Sequence, residues 1–203
     1  MKKIAFFGCL TILVVGVIVA IGIVSWAISL RNNFVTLEEQ VNEKWAQVQN
    51  VYQRRMDLIP NLVETVKGYA AHESQTFENV TAARARAGTI QLTPEALNDP
   101  QALARFQKAQ GEVSSALSRL MAISENYPDL KANQNFLQLQ SQLEGTENRI
   151  TVERMRFNET ARAYNTAVRR FPDSLVANYS GFKTKAYFEA EPGAERAPKV
   201  SFK

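Results

Sequence analysis

The residue of this sequence best suited to acid–base chemistry is His72, which stands next to Glu73. An imidazole titrates near neutral pH and can act as a general base in hydrolysis. His72 is the single histidine of the chain, which excludes a two-histidine metal site and disfavours a Ser-His-Asp triad. The helical pattern weakens nearby, at Gly68 and Ala70-Ala71, so a surface or capping histidine at a helix break is the simpler interpretation.

The sequence also lacks the cysteine pattern of a metal site and the motifs of nucleotide-binding and hydrolytic enzymes. Cys9 is the only cysteine, which excludes a disulfide scaffold and a cysteine-based zinc site. The sequence contains no GxGxxG motif, no Walker-type loop and no GxSxG motif. We therefore predict no catalytic, cofactor-binding or metal-ligating residues and no enzymatic activity, with a His72-dependent hydrolase as the least favoured alternative.

The charge balance argues against a nucleic-acid partner. The chain carries 24 basic and 20 acidic residues, and Lys2 and Lys3 account for two of the basic ones. The short basic runs Arg84-Ala85-Arg86 and Arg169-Arg170 are isolated, and acidic residues are interspersed elsewhere. A nucleic-acid binder clusters its lysines and arginines on one face. We expect no nucleic-acid binding.

Residues 53–63 mix charged and apolar side chains around a proline. The charged members and the proline are Arg54, Arg55, Asp57 and Pro60, and the apolar members are Met56, Leu58 and Ile59. A plain buried helix does not need this mixture, which predicts either contact with a protein partner or a buried network. In the second interpretation the segment is a structural kink, held by Asp57 pairing with an arginine.

The N-terminal segment predicts a transmembrane helix. Residues 4–30 contain no charge, and as a helix they would extend roughly 40 Å, more than the ~30 Å hydrocarbon core of a bilayer. Trp26 stands where an interfacial aromatic residue would lie, and Lys2, Lys3 and Arg31 flank the segment. A signal peptide cleaved near Ser25-Trp26-Ala27 is an alternative, but its apolar region would be far shorter.

The basic residues near this helix favour a cytoplasmic N-terminus. Lys2, Lys3 and the α-amino group lie on one side, against Arg31 and Lys44 on the other. The positive-inside rule then places the remainder of the chain outside the cytoplasm. Gly16 and Ala20 form a small-xxx-small pair that permits packing with a second helix, although the signal is weak. A homo-oligomer stays open as an alternative to a single copy.

The rest of the chain predicts long amphipathic helices. Apolar residues follow three- and four-residue spacing from Phe34 to Ile59 and continue past Pro60. Pro60 is therefore predicted to be a kink, or a junction between nearly continuous helices, rather than a hairpin. The inward-facing Arg55 and Lys44 are predicted to extend their charged ends to solvent or to pair across the bundle.

Further helix boundaries follow from glycine, proline and capping residues. Helix is predicted to end near Ala87, and to begin at Thr93-Pro94 and Asp99-Pro100. A heptad pattern then predicts one long helix. Its members are Phe136, Leu143, Ile150, Phe157, Tyr164 and Phe171. A bundle core is the simpler interpretation of this seam, with a partner-binding coiled coil as the alternative, and a short helix ending at Gly181 should follow.

These elements define an all-α fold. We predict a transmembrane anchor over residues 1–31, an elongated antiparallel, four-helix-bundle-like domain over residues 32–188, and a flexible tail over residues 189–203, which lack a periodic apolar face.

Several segments resemble the LemA family, and together they span essentially the whole chain. They are residues 33–37 (NFVTL), 41–48 (VNEKWAQV), 53–63 (QRRMDLIPNLV), 66–70 (VKGYA), 72–73 (HE) and 83–87 (ARARA), together with Tyr164-Asn165, Phe171-Pro172, Gly181-Phe182 and Tyr187-Phe188. The resemblance implies a bacterial protein with one N-terminal membrane helix and a helical bundle, and it implies no established enzymatic activity. Some family members occur in settings that suggest envelope homeostasis or partnership with a membrane protease.

We therefore expect a single-pass protein of the bacterial inner membrane, with its bundle outside the cytoplasm. Residues 4–30 would contact the bilayer, and the bundle would act as an interaction or scaffold module for a protein partner, without a cofactor. A membrane sensor, in which the Pro60 kink transmits a change in the bundle to the anchor, is the main alternative.

Overall fold

The structure is a computed structural model. It describes the backbone of residues 2–190 and the side chains of residues 12–190. Within this range the chain is helical and contains no strand. The helices are α1 (Lys2–Lys67), α2 (Ser74–Thr89), α3 (Pro100–Ile123), α4 (Pro128–Lys131), α5 (Gln134–Arg169) and α6 (Asp173–Ser180), with 3₁₀ turns at Glu95–Asn98 and Ser124–Asn126.

Helix α1 joins the apolar N-terminal segment to the bundle without a break. Its 66 residues correspond to roughly 100 Å at 1.5 Å per residue, and the predicted boundary between residues 31 and 32 lies inside it. The apolar part is long enough to cross a membrane, and none of its most apolar window is buried. A core helix of a soluble protein would be covered by its neighbours. The apolar part of α1 therefore fits a membrane location.

Pro60 lies inside α1 rather than in a turn, so the prediction that it does not form a hairpin is confirmed. Proline has no N–H, so the carbonyl of Met56, four residues earlier, loses its helical partner. Nε of Arg84 in α2 donates to this carbonyl at 3.1 Å. Leu58 and Ile59, which a hairpin would have exposed, are buried.

Capping residues start α3 and α5. Pro100 is the first residue of α3, and Oδ1 of Asp99 accepts from the N–H of Gln101 at 2.9 Å, as predicted. The start predicted at Thr93-Pro94 yields only the 3₁₀ turn Glu95–Asn98. Five heptad residues of α5 are buried as predicted, but Phe171 follows the end of the helix and is 78% exposed.

The bundle is antiparallel, and α1 packs along α5 whereas α2 packs along α3. Tyr69 after the end of α1 accepts a hydrogen bond from Asn133, which caps the start of α5. At the other end Phe34 packs against Phe182, after α6, with ring centroids 5.4 Å apart. We call the end near Phe34 proximal, because the apolar segment of α1 adjoins it, and the end near Tyr69 distal.

Two apolar cores fill these ends. The proximal core is rich in aromatic residues, and the distal core consists mainly of aliphatic ones. The rings of Phe106, Phe157 and Phe188 surround Trp45. Indole Nε1 of Trp45 donates to the carbonyl of Leu92 at 3.2 Å.

After α6, the chain turns at Gly181, as predicted, where φ is +81°, a left-handed conformation that glycine adopts without steric cost. Residues 182–190, which we call the strap, are non-helical and run back along the bundle. The predicted tail begins within the strap, and residues 191–203 lie outside the described residues. The Glu189 carbonyl accepts hydrogen bonds from Gln107 Nε2 at 2.7 Å and Arg154 Nη2 at 3.1 Å.

Candidate functional site

The seam between α3 and α5 binds the strap through two asparagines of α5. Oδ1 of Asn165 accepts from the Lys185 N–H, and Nδ2 donates to the Lys185 carbonyl, both at 2.8 Å. Asn158 makes the same pair of bonds to Phe188, both at 2.9 Å. Seven residues of helix and three of extended chain each rise about 10 Å. The two asparagines therefore match the spacing of an extended peptide.

A buried ion pair fastens the proximal part of the strap. Nζ of Lys185 lies 2.7 Å from Oε1 of Glu38 in α1, and the lysine side chain is only 3% exposed. The same ammonium lies 5.7 Å from the ring centroid of Tyr164. A charge removed from water needs such a partner, because an unpaired buried charge is strongly destabilising.

The distal part of the same seam is an open groove of about 1030 Å³. It continues two helical turns beyond the strap contacts, since Ser114 follows Gln107 by seven residues and Glu147 precedes Arg154 by seven. The groove has an apolar floor, two amides and a mainly acidic set of charges. The corresponding residues are Leu117, Met121, Leu137 and Leu143, then Gln140 and Asn148, then Glu125, Glu144, Glu147 and Lys131.

Arg55 reaches from α1 to the boundary between strap and groove. Its side chain is 1% exposed, and Nη1 lies 2.7 Å from Oε1 of Glu147, which is 43% exposed. Nη1 also donates to Oγ of Ser114 at 2.9 Å, and Nη2 donates to the carbonyl of Gln110 at 3.3 Å and to its side-chain oxygen. The guanidinium therefore links α1, α3 and α5.

Tyr52 packs one turn before this arginine. The guanidinium carbon of Arg55 lies 5.1 Å from the centroid of the Tyr52 ring, within the range of a cation–π interaction. Burial raises the pKa of the Tyr52 phenol above its ordinary value, although the positive charges of Arg154 and Arg55 act in the opposite direction. The phenol is thus neutral at physiological pH.

The same prediction also named Arg54, Asp57 and Pro60, and in the described part of the chain none of these residues bonds to Arg55 or to its partners. Nη2 of Arg54 donates to Gln142 at 3.4 Å on the exposed side of the α1–α5 interface. Asp57 accepts from Nε2 of Gln53 at 2.7 Å. The predicted pairing of Asp57 with an arginine is therefore wrong within the described residues, because the nearby buried arginine pairs with Glu147 of another helix.

The apolar residues of the same segment belong to the distal core. Met56, Leu58 and Ile59 are buried there, so little of their surface is available to a partner. Arg54 and Asp57, together with Leu58, line a smaller groove of about 560 Å³ between α1 and α5. The exposed Pro60 lies outside both grooves.

The remaining candidates are at the surface. His72 is exposed in the turn between α1 and α2, and residues 12–190 contain no group of three side chains arranged to hold a metal ion. Lys44, predicted to extend to solvent or pair across the bundle, is half-exposed and lies 2.9 Å from the neighbouring Glu43.

Sequence reasoning missed the strap and the groove. The strap has no helical periodicity, and its charged and aromatic residues resemble those of a surface loop. The available signal was the spacing of Asn158 and Asn165, seven residues apart on the face of an otherwise apolar heptad. Buried asparagines at such positions need hydrogen-bond partners from another segment.

The fold and the seam define a membrane-associated helical-bundle protein. The chain matches the model of the LemA family over residues 44–202, and it belongs to that family. It is 29% identical over 199 residues to magnetosome protein MamQ of Magnetospirillum gryphiswaldense, covering 90% of this chain and 73% of that protein. It is 22% identical over 160 residues to protein LemA of Metamycoplasma hominis, covering 79% of this chain and 69% of that protein. Neither is named as an enzyme.

Proposed function

We propose that this protein is a membrane-anchored interaction module of the bacterial cell envelope, which binds an extended segment of a protein partner in the distal groove. The observation that supports this proposal most directly is the division of one seam into two parts. The strap occupies the proximal part as an extended peptide, and the distal part is open. The proposal assigns no catalytic step to the chain.

The lining of the groove suggests the chemistry of the partner segment. Three carboxylates and one lysine contribute to it, so a segment with basic residues has the complementary charge. Apolar side chains of that segment would cover the floor formed by Leu117, Met121 and Leu143. Gln140, whose Nε2 donates to Oε1 of Glu144 at 3.0 Å, and Asn148 offer side-chain amides to the backbone of that segment.

Site-specific photocrosslinking in native membranes tests this proposal. A photoreactive amino acid at Leu137, which is 45% exposed in the groove, should capture a segment of another protein that contains basic and apolar residues. The same group at Met155, which is 55% exposed outside the groove, should not. Capture only of lipid, of residues 191–203 of the same chain, or of the same products at both positions would contradict the proposal.

We also propose that the apolar part of α1 is an uncleaved, single-pass anchor with the bundle outside the cytoplasm. The continuity of α1 supports a rigid connection, because its rise from Leu30 to Arg55 is roughly 37 Å. The excess of lysine before the segment supports the orientation. Protease added to spheroplasts should degrade the bundle, and intact mass should include residues 1–31. Full protection would reverse the orientation, and a chain beginning near Ile28 would exclude the anchor.

The sensor alternative has one supporting observation. Pro60 lies in the helix that enters the membrane, and Arg84 of α2 holds the carbonyl that this proline leaves free. A shift of α2 would therefore act on α1 directly. Spin labels at Thr81 and Asn61 would report such a shift, and an unchanged distance when the partner binds would exclude this role.

A further inference from the structure

The corner between α5 and α6 exposes three large apolar side chains. Phe171 is 78% exposed, Leu175 62% and Tyr179 95%. Leu175 and Tyr179 lie one turn apart on the same face of α6, and Phe171 lies two residues before the first residue of the helix. On the inner side, Ala177 is completely buried. Such a cluster of exposed apolar groups is unusual on a surface that faces only water.

This corner lies level with the end of the apolar segment of α1. Helix α6 packs against α1 and α5. Phe182, two residues after α6, packs against Phe34 of α1 with ring centroids 5.4 Å apart. Phe34 lies about one helical turn beyond Leu30, the last residue of the apolar segment. The geometry of α1 therefore brings the exposed face of α6 to the depth at which the chain leaves the bilayer.

Basic side chains surround the corner. Arg169, Arg170 and Lys183 are exposed, and none of them takes part in an ion pair among the described residues. Arg31 of α1, which follows Leu30 directly, is exposed, and Asp173, the first residue of α6, is partly buried. Aromatic and apolar groups with flanking arginines are typical of protein segments that lie in the headgroup layer of an anionic membrane.

We propose that residues 169–183 are a second membrane contact, with Phe171, Leu175 and Tyr179 in the interfacial layer and the arginines at lipid phosphates. This inference rests on the proposed membrane anchor. A lipid surface fits better than a protein, because α1 fixes this face beside the bilayer. Two points of attachment would fix the orientation of the bundle, and therefore of the distal groove, relative to the membrane.

Fluorescence quenching in reconstituted vesicles tests the contact. In a Cys9→Ser background, an environment-sensitive dye is attached to Asn178→Cys, beside the apolar groups. The vesicles contain phosphatidylcholine, either alone or with the anionic lipid phosphatidylglycerol, and each kind is prepared with and without brominated acyl chains. Met155→Cys, which lies roughly 24 Å along α5 from Phe171, is the matched control, and Val24→Cys reports on the anchor.

We expect brominated lipid to reduce the emission at Asn178→Cys about twofold and to leave Met155→Cys unchanged. Adding Leu175→Ser and Tyr179→Ser should abolish most of this quenching without lowering the melting temperature, because both side chains are mainly exposed. Replacing Arg169 and Arg170 with glutamine should weaken quenching only in vesicles with anionic lipid.

Other outcomes would overturn the inference. If Val24→Cys is quenched and Asn178→Cys behaves like Met155→Cys, the anchor stands and the second contact does not. A blue-shifted emission at Asn178→Cys that is insensitive to brominated lipid would mean that protein covers the corner. Absence of quenching at Val24→Cys would overturn both the anchor and the contact.

Discussion

The proximal and distal parts of the α3–α5 seam differ in how the space between the two helices is covered. In the proximal part, the strap covers the space between the helices, and its Phe188 packs against Trp45 and Phe157. In the distal part, the described residues leave a groove over Leu117 and Leu143. The proximal part therefore shows that this seam accommodates an extended chain. The proposed function extends this observation to the open part, where a partner segment would bind.

Each part also holds one buried cation. Lys185 pairs with Glu38 in the proximal part, and Arg55 pairs with Glu147 at the start of the groove. Both carboxylates are partly exposed, so each pair keeps some contact with water and avoids part of the desolvation penalty. The lysine fixes the strap to α1, whereas the arginine holds three helices together. Removing Lys185 should therefore loosen the strap, whereas removing Arg55 should destabilise the whole bundle.

The largest expected effect is that of Arg55→Ala. This change leaves the buried side chain of Gln110 without its partner and opens a cavity, so we expect a loss of about 3 kcal/mol in the free energy of unfolding. Arg54→Ala is the matched control and should cost less than about 0.5 kcal/mol, because Arg54 is exposed. Urea unfolding of the detergent-solubilised protein measures both. Equal losses would show that the network does not stabilise the bundle.

Asn165→Ala should come next, and its effect should be local. The change removes two hydrogen bonds to Lys185 and leaves a buried N–H and carbonyl unsatisfied, at a cost of about 2 kcal/mol. Hydrogen exchange at residues 182–190 should accelerate, while the distal half of α3 keeps its protection. Gln138→Ala, an exposed change on the same helix, serves as the control. Uniform acceleration across the bundle would mean that the two parts of the seam unfold together.

The sequence predicted what depends on local pattern and missed what depends on distant segments. Asp99 and Pro100 start a helix wherever they precede an apolar periodicity, and the heptad from Phe136 to Tyr164 needs only its own spacing. The partner of Arg55 is 92 residues away, a distance over which sequence pattern carries no information. The heptad failed at Phe171 because the apolar period continues past the end of the helix, into the exposed corner.

Arg84→Ala should cost about 1 kcal/mol, because it removes the hydrogen bond that Nε donates to the Met56 carbonyl, which Pro60 deprives of its usual helical partner. In a Pro60→Ala background, the new N–H restores the helical bond, and the same Arg84 change should cost almost nothing. Unfolding energies of the two single variants and the double variant measure this coupling. If Arg84→Ala costs the same in both backgrounds, the arginine stabilises the distal part in another way.

Tyr164→Phe should have the smallest effect at neutral pH, within about 1 kcal/mol, because the buried hydroxyl has no hydrogen-bond partner among the described residues. Burial raises the pKa of this phenol, and the nearby carboxylate of Glu38 raises it further. The native state therefore keeps its proton where the unfolded chain has lost it, so stability should fall as pH rises above about 10. Tyr164→Phe should reduce this alkaline loss, and Tyr52→Phe should reduce it separately, since burial also raises the pKa of Tyr52. Unfolding energies measured from pH 8 upwards, at intervals of about one unit, would separate the two contributions. If the free energy of unfolding falls with rising pH equally in both variants and in the unchanged protein, neither buried phenol controls stability at alkaline pH.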